Sequence, residues 1–155
     1  MNRSNKGKLI ISIAIPLIVG GLSALLSGGM GSYSQVNQPA FAPPGFIFPI
    51  VWTILYALMG ISSYLIYISD SPEKETALTT YGIQLFFNFF WSIIFFGFHQ
   101  YLAAFIWLLV LIVLIAIMIY QFDKISPLAA YLQIPYLLWC TFAAVLNFAV
   151  YRLNA

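Results

Sequence analysis

No lysine, arginine, aspartate or glutamate occurs between Leu9 and Ser69, between Thr76 and Phe122, or between Ile125 and Tyr151. A helix crosses a bilayer with roughly 20 apolar residues, so uncharged blocks of this length read as membrane spans separated by turns. The chain cannot build a polar surface. Only 6% of its residues are charged and 63% are hydrophobic, whereas a soluble domain is about a quarter charged.

Glycine and proline divide the blocks. Ser27-Gly28-Gly29-Met30-Gly31 ends the first apolar run and Pro43-Pro44-Gly45 precedes the next, while Gly97-Phe98-His99-Gln100 splits the second block. The expected architecture is an all-α integral membrane bundle of five helices in one domain over residues 1–155, with helices near 9–26, 46–68, 79–96, 102–121 and 128–151. A long first loop, 27–45, is left over. The first run spans about 18 apolar residues and lacks an Ala-x-Ala site, unlike a signal core of about 7–15, so it is expected to stay as a membrane helix.

Five spans put the termini on opposite sides. Arg3, Lys6, Lys8, Lys74 and Lys124 then share the N-terminal side and Arg152 stands alone on the other. The positive-inside rule makes the N-terminus cytoplasmic and turns the first loop and the C-terminus outward. Ten charges in all leave no basic face for nucleic acid, and one histidine with one cysteine makes no metal cluster.

Lipid offers no hydrogen bonds, so polar side chains at membrane depth turn toward the bundle or a cavity. Gln84, Asn88, Trp91 and Phe95 share a face of the third helix. Pro49, Trp52, Tyr56 and Ser63 do so in the second, and Pro135, Trp139, Phe142, Ala143 and Leu146 in the fifth. From spacing alone the plain reading of these stripes is helix–helix packing, with Gln84 and Asn88 hydrogen-bonding across to a neighbouring helix, and the other reading is a cavity wall. Tryptophan usually sits at the membrane interface, so the mid-helix positions of Trp91 and Trp139 favour a cavity, with Asn88, Gln84 or a tyrosine supplying an indole partner. Trp107, among aliphatics, is expected to pack or face lipid. Small residues at Gly20, Ala24 and Gly28, and at Ser23 and Ser27, permit close approach of a helix from the same bundle or from a second copy.

The interior has no carboxylate, lysine or histidine, which argues against acid–base catalysis and against a carboxylate proton relay. His99 falls at a helix end as a solvated turn residue. Cys140, adjacent to Trp139 and off its face, reads as a small packing residue.

The stretch Pro39 to Gly60, with Phe41, Pro43-Pro44, Pro49, Val51-Trp52-Thr53, Leu55-Tyr56 and Gly60, resembles the signature of the translocator protein family, also called tryptophan-rich sensory proteins or peripheral-type benzodiazepine receptors. The likeness continues through Gln84, Asn88, Trp91 and Phe95-Phe96-Gly97, and through Pro135-Tyr136, Trp139, Phe142-Ala143 and Leu146-Asn147. It runs from about Pro16 to Arg152. The resemblance implies five membrane helices around a pocket capped by the first loop, in a homodimer, in a bacterial cell membrane. It implies porphyrins such as protoporphyrin IX, heme-like tetrapyrroles and isoquinoline or benzodiazepine drugs as ligands, with no permanently bound cofactor. Carried over by position, the pocket comprises Tyr33, Pro43, Trp52, Asn88, Trp91, Trp139, Ala143 and Leu146.

One departure is plain. The cholesterol motif proposed for animal members needs a residue between its tyrosine and its basic residue, and here Tyr151 abuts Arg152. With nothing to titrate inside, the chemistry open to the chain is photochemical: Trp52 and Trp139 are expected to stack on a porphyrin and to serve as electron donors or oxidation targets in its light- and oxygen-dependent breakdown. Arg152, on the loop side, is expected to hold the propionates. The alternative is a transporter or exporter of small apolar or tetrapyrrole ligands.

Overall fold

The computed structural model of the protein describes residues 2–28 and 36–155. Five helices fill it: α1 (Arg3–Leu26), α2 (Ile47–Tyr67), α3 (Lys74–Ser92), α4 (Tyr101–Ile125) and α5 (Pro127–Asn154). Each is long and apolar enough to span a membrane. Around the bundle the order is α1, α2, α5, α4, α3, and α3 closes the ring against α1 and α2. Tyr33, a predicted pocket residue, lies outside the described residues.

Several helices begin or end in solvent-facing turns that apolarity alone does not mark. The Asn2 side chain accepts the Asn5 N–H at 2.8 Å and starts α1 six residues ahead of the apolar run. Ser126 caps α5 through the Ala129 N–H, with Pro127 in the first turn where its missing N–H costs nothing. α3 begins at Lys74 and runs on into one π-helical turn, Ile93–Gly97. His99 follows with φ of 55°, a left-handed conformation that turns the chain into α4. It is exposed, as expected of a turn residue.

Glycines set the spacing of α1 on its neighbours. At Gly60 an added Cβ would strike the Ile13 main chain, and at Gly20 it would strike the Tyr56 ring. Both therefore pin α1 on α2. The Ser23 hydroxyl donates to the Phe89 carbonyl at 2.7 Å, tying α1 to α3. So Gly20 and Ser23 serve the fold of a single chain.

The described part of the first loop leans on the end of α5. The Asn37 N–H donates to Asn154 Oδ1 at 3.1 Å and Asn154 Nδ2 donates to the Asn37 carbonyl at 2.9 Å. Phe41 places its ring edge-on to Phe142 at 6.3 Å.

One face was misread. Pro135 is exposed on the outside of α5; the buried face is Gln133, Tyr136, Cys140, Ala143, Ala144, Leu146, Asn147 and Val150, which includes the expected Ala143 and Leu146. Tryptophan, amphipathic and large, tolerates a half-buried position and so marks a helix face less well than an amide does. Trp139 is accordingly half-buried at the edge of that stripe.

Candidate functional site

Polar side chains from three helices meet at the bundle centre. Tyr56 donates its hydroxyl to Asn88 Oδ1 at 2.7 Å; Asn88 Nδ2 donates to the Tyr136 oxygen at 3.0 Å; Tyr136 donates to Gln84 Oε1 at 2.7 Å. The chain is fully buried and uncharged. In hydrocarbon its members are worth keeping only as a connected set, because each orphaned amide or phenol would cost several kcal/mol.

Above this network stand the indoles. Trp52 stacks on Tyr56 with centroids 5.5 Å apart, tilts toward Trp91 at 6.3 Å and meets Tyr136 edge-on at 6.2 Å. Trp91 stacks on Phe95 at 5.4 Å, so the π-helical turn carries part of the wall. The Trp91 N–H donates to Asn147 Oδ1 at 3.1 Å, and Asn147 Nδ2 donates to the Tyr101 carbonyl at 2.8 Å. The expected partners Asn88 and Gln84 are instead committed to Tyr56 and Tyr136. Trp107 packs: its ring stacks on Phe87 at 4.3 Å and its N–H donates to the Phe87 carbonyl at 2.7 Å.

Two spaces flank this aromatic wall. The larger, about 310 Å³, lies between α1, α2 and α3; its α1 lining is Leu17, Gly20, Gly21, Ser23, Ala24 and Ser27. Opposite them stand Pro49, Trp52, Thr53, Tyr56, Asn88 and Trp91. The smaller holds only about 10 Å³ and is lined on α5 by Trp139, Ala143, Leu146 and Asn147, room for about one water molecule. Phe48, Trp52, Trp91 and Phe96 border both.

The predicted pocket residues are therefore divided. Trp52, Asn88 and Trp91 line the open cavity, while Trp139, Ala143 and Leu146 lie behind the shared wall in the closed crevice. Pro43, half-buried in the loop, lines neither space. Trp139 packs against Phe48 at 5.8 Å and Phe142 at 5.4 Å, and its buried N–H has no partner among the described residues.

Sequence reasoning missed the α1 lining because Gly20, Ser23, Ala24 and Ser27 read as a packing stripe, and Gly21 stands outside that spacing. It also missed Asn147, whose polar side chain on the α5 stripe was the available signal.

A sequence profile of the TspO/MBR family matches residues 12–152. The chain belongs to that family. It is 36% identical over 153 residues to the tryptophan-rich protein TspO of Archaeoglobus fulgidus, covering 96% of this chain and 97% of that protein. It is 34% identical over 122 residues to the tryptophan-rich sensory protein of Cereibacter sphaeroides, covering 79% and 76%. The human translocator protein is 36% identical over 129 residues, covering 81% and 76%. Together with the five apolar helices, membership in the TspO/MBR family makes the chain an integral membrane protein.

Proposed function

We propose that the protein binds flat, apolar ligands of the porphyrin class, and isoquinoline or benzodiazepine drugs, in the cavity between α1, α2 and α3. The single observation that carries this reading is an uncharged cavity of about 310 Å³ walled by Trp52 and Trp91, since stacking on indole is the interaction such a wall offers a planar ring.

That volume stands at the low end of the roughly 300–1,000 Å³ of small-molecule sites. A tetrapyrrole therefore needs more room than the cavity alone supplies. The crevice behind the wall offers it: displacement of Phe48, which borders both, would join the two spaces, and rotation of Trp139 would widen the crevice. The unpartnered Trp139 N–H would then meet an acceptor on the ligand. In this reading Trp52 and Trp139 stack on the macrocycle from two sides, and under light they donate an electron to the excited porphyrin or take up the reactive oxygen species it generates. Arg152, two residues before the Asn154 that anchors the first loop, is exposed and suited to the propionates. The N-terminus faces the cytoplasm of a bacterial cell, by the positive charge gathered on that side.

The test is titration of the purified protein with protoporphyrin IX, followed by illumination in air. Wild-type protein is expected to bind and to accelerate loss of porphyrin absorbance. The Trp52→Phe/Trp139→Phe double variant is expected to bind more weakly and to lose the acceleration. Equal bleaching in both would confine the function to binding.

A further inference from the structure

The structure assigns a second polar site to the N-terminal-side half of the bundle, between α3, α4 and α5, and we infer that it binds ordered water. Its members are Gln84, Gln133 and Gln121. Gln84 and Gln133 are both wholly buried, at 0% exposure, and Gln121 is half-buried. Four of their amide atoms are themselves buried and have no partner among the described residues: Gln84 Nε2, Gln133 Nε2, Gln133 Oε1 and Gln121 Oε1.

The helices bring these residues within about one helical turn of one another along the bundle axis. α3 and α5 run parallel, and the bond from Tyr136 to Gln84 fixes their register. Gln133 lies one turn before Tyr136 on the same buried stripe. Tyr81, one turn before Gln84, lies against Phe122 of α4 with ring centroids 6.3 Å apart, so Gln121, the residue before Phe122, stands at about that height on α4. Below these residues the Ser62 hydroxyl donates to the Ala129 carbonyl at 2.7 Å, closing the site toward the N-terminal side of α5.

Water is the occupant the chemistry selects. Two amide NH₂ groups offer donors and two amide oxygens offer acceptors, a mixed set that suits a molecule which both donates and accepts. The nearest charges along α4, Asp123 and Lys124, are exposed on the outside, and no charged side chain is buried among the described residues to call for an ion. Buried water commonly makes about three hydrogen bonds to otherwise unsatisfied groups, and an amide left dry in a membrane interior is among the costliest arrangements a chain can adopt. The site is also connected. Tyr136 accepts from Asn88 and donates to Gln84, so the hydrogen-bond chain that begins at Tyr56 and Asn88 on the cavity wall ends at this water.

The sign of one stability change separates a wet site from a dry one. In ¹⁵N-labelled wild-type protein in detergent, the Gln84 and Gln133 side-chain NH₂ protons are expected to show direct cross-relaxation with water. Gln133→Leu, which keeps an apolar side chain of similar size, is expected to lower the thermal midpoint by about 2–4 °C for each hydrogen bond lost, because the remaining glutamines lose their bridge. Absence of water cross-relaxation at both amides would overturn the inference. So would a raised midpoint in Gln133→Leu, the result expected when an orphaned dry amide is removed. Neither readout involves a porphyrin, so both stand apart from the proposed ligand.

Discussion

The two sides of the aromatic wall differ in what faces it. On the α1 side stand Gly20, Gly21, Ser23 and Ala24, and a cavity of about 310 Å³ remains; on the α5 side stand Trp139, Ala143 and Leu146 with Phe48 between, and about 10 Å³ remains. Trp52 and Trp91 belong to both. The comparison teaches that small residues on α1 hold the site open, while the indoles supply its surface. A stripe of Gly, Ala and Ser thus does two jobs here, since Gly20 seats the Tyr56 ring and Gly21 leaves room.

The largest effect comes from moving α1. Gly60→Val drives a side chain into the main chain at Ile13, and overpacking of this kind costs about 1–3 kcal/mol or more. A markedly lower thermal midpoint together with loss of porphyrin binding is expected, since the cavity exists only while α1 keeps its distance. Thermal unfolding followed by tryptophan fluorescence checks it.

On the closed side, Asn147→Leu removes the acceptor of the Trp91 N–H and the donor to the Tyr101 carbonyl. Leaving those groups unpaired costs about 1–3 kcal/mol each, so stability is expected to fall. Binding in the open cavity should suffer less than stability, which denaturation and titration of the same sample would show.

Ala143→Val tests the crevice more gently. Ala143 is buried where almost no space remains, so an added pair of methyl groups should cost up to about 1–2 kcal/mol. It should also weaken porphyrin binding while leaving a smaller planar ligand unaffected, because only the larger ring needs both spaces. Equal weakening of both ligands would break the distinction between cavity and crevice.

The smallest effect is electrostatic. Arg152 is exposed, and exposed ion pairs contribute at most about 1 kcal/mol and are screened by salt. Arg152→Gln is expected to weaken protoporphyrin binding by less than about tenfold at low salt and not at high salt. Unchanged affinity at low salt would remove Arg152 from the site.

Much of this was legible in the chain itself. Ten charges confined to the ends of the long uncharged runs dictate five spans, and the Trp52, Asn88 and Trp91 positions follow from helical spacing. Boundaries drifted where capping by Asn2 and Ser126 carried a helix past its apolar core. The α5 face drifted because it was aligned on Trp139 and Pro135 rather than on Gln133 and Asn147, which have no stable position facing lipid. The division of the site into open and closed halves was not legible at all. It depends on side-chain volumes facing each other across helices, which no single-helix periodicity encodes.

Gly21 offers the most direct test of the central claim. It lines the open cavity, and a Cβ added there meets nothing within 4 Å, so Gly21→Leu fills the cavity without disturbing the packing. Titrated with protoporphyrin IX, the folded variant is expected to lose at least tenfold in affinity, about 1.4 kcal/mol, with its thermal midpoint retained. Wild-type affinity in that variant would contradict the account and place the ligand elsewhere in the bundle.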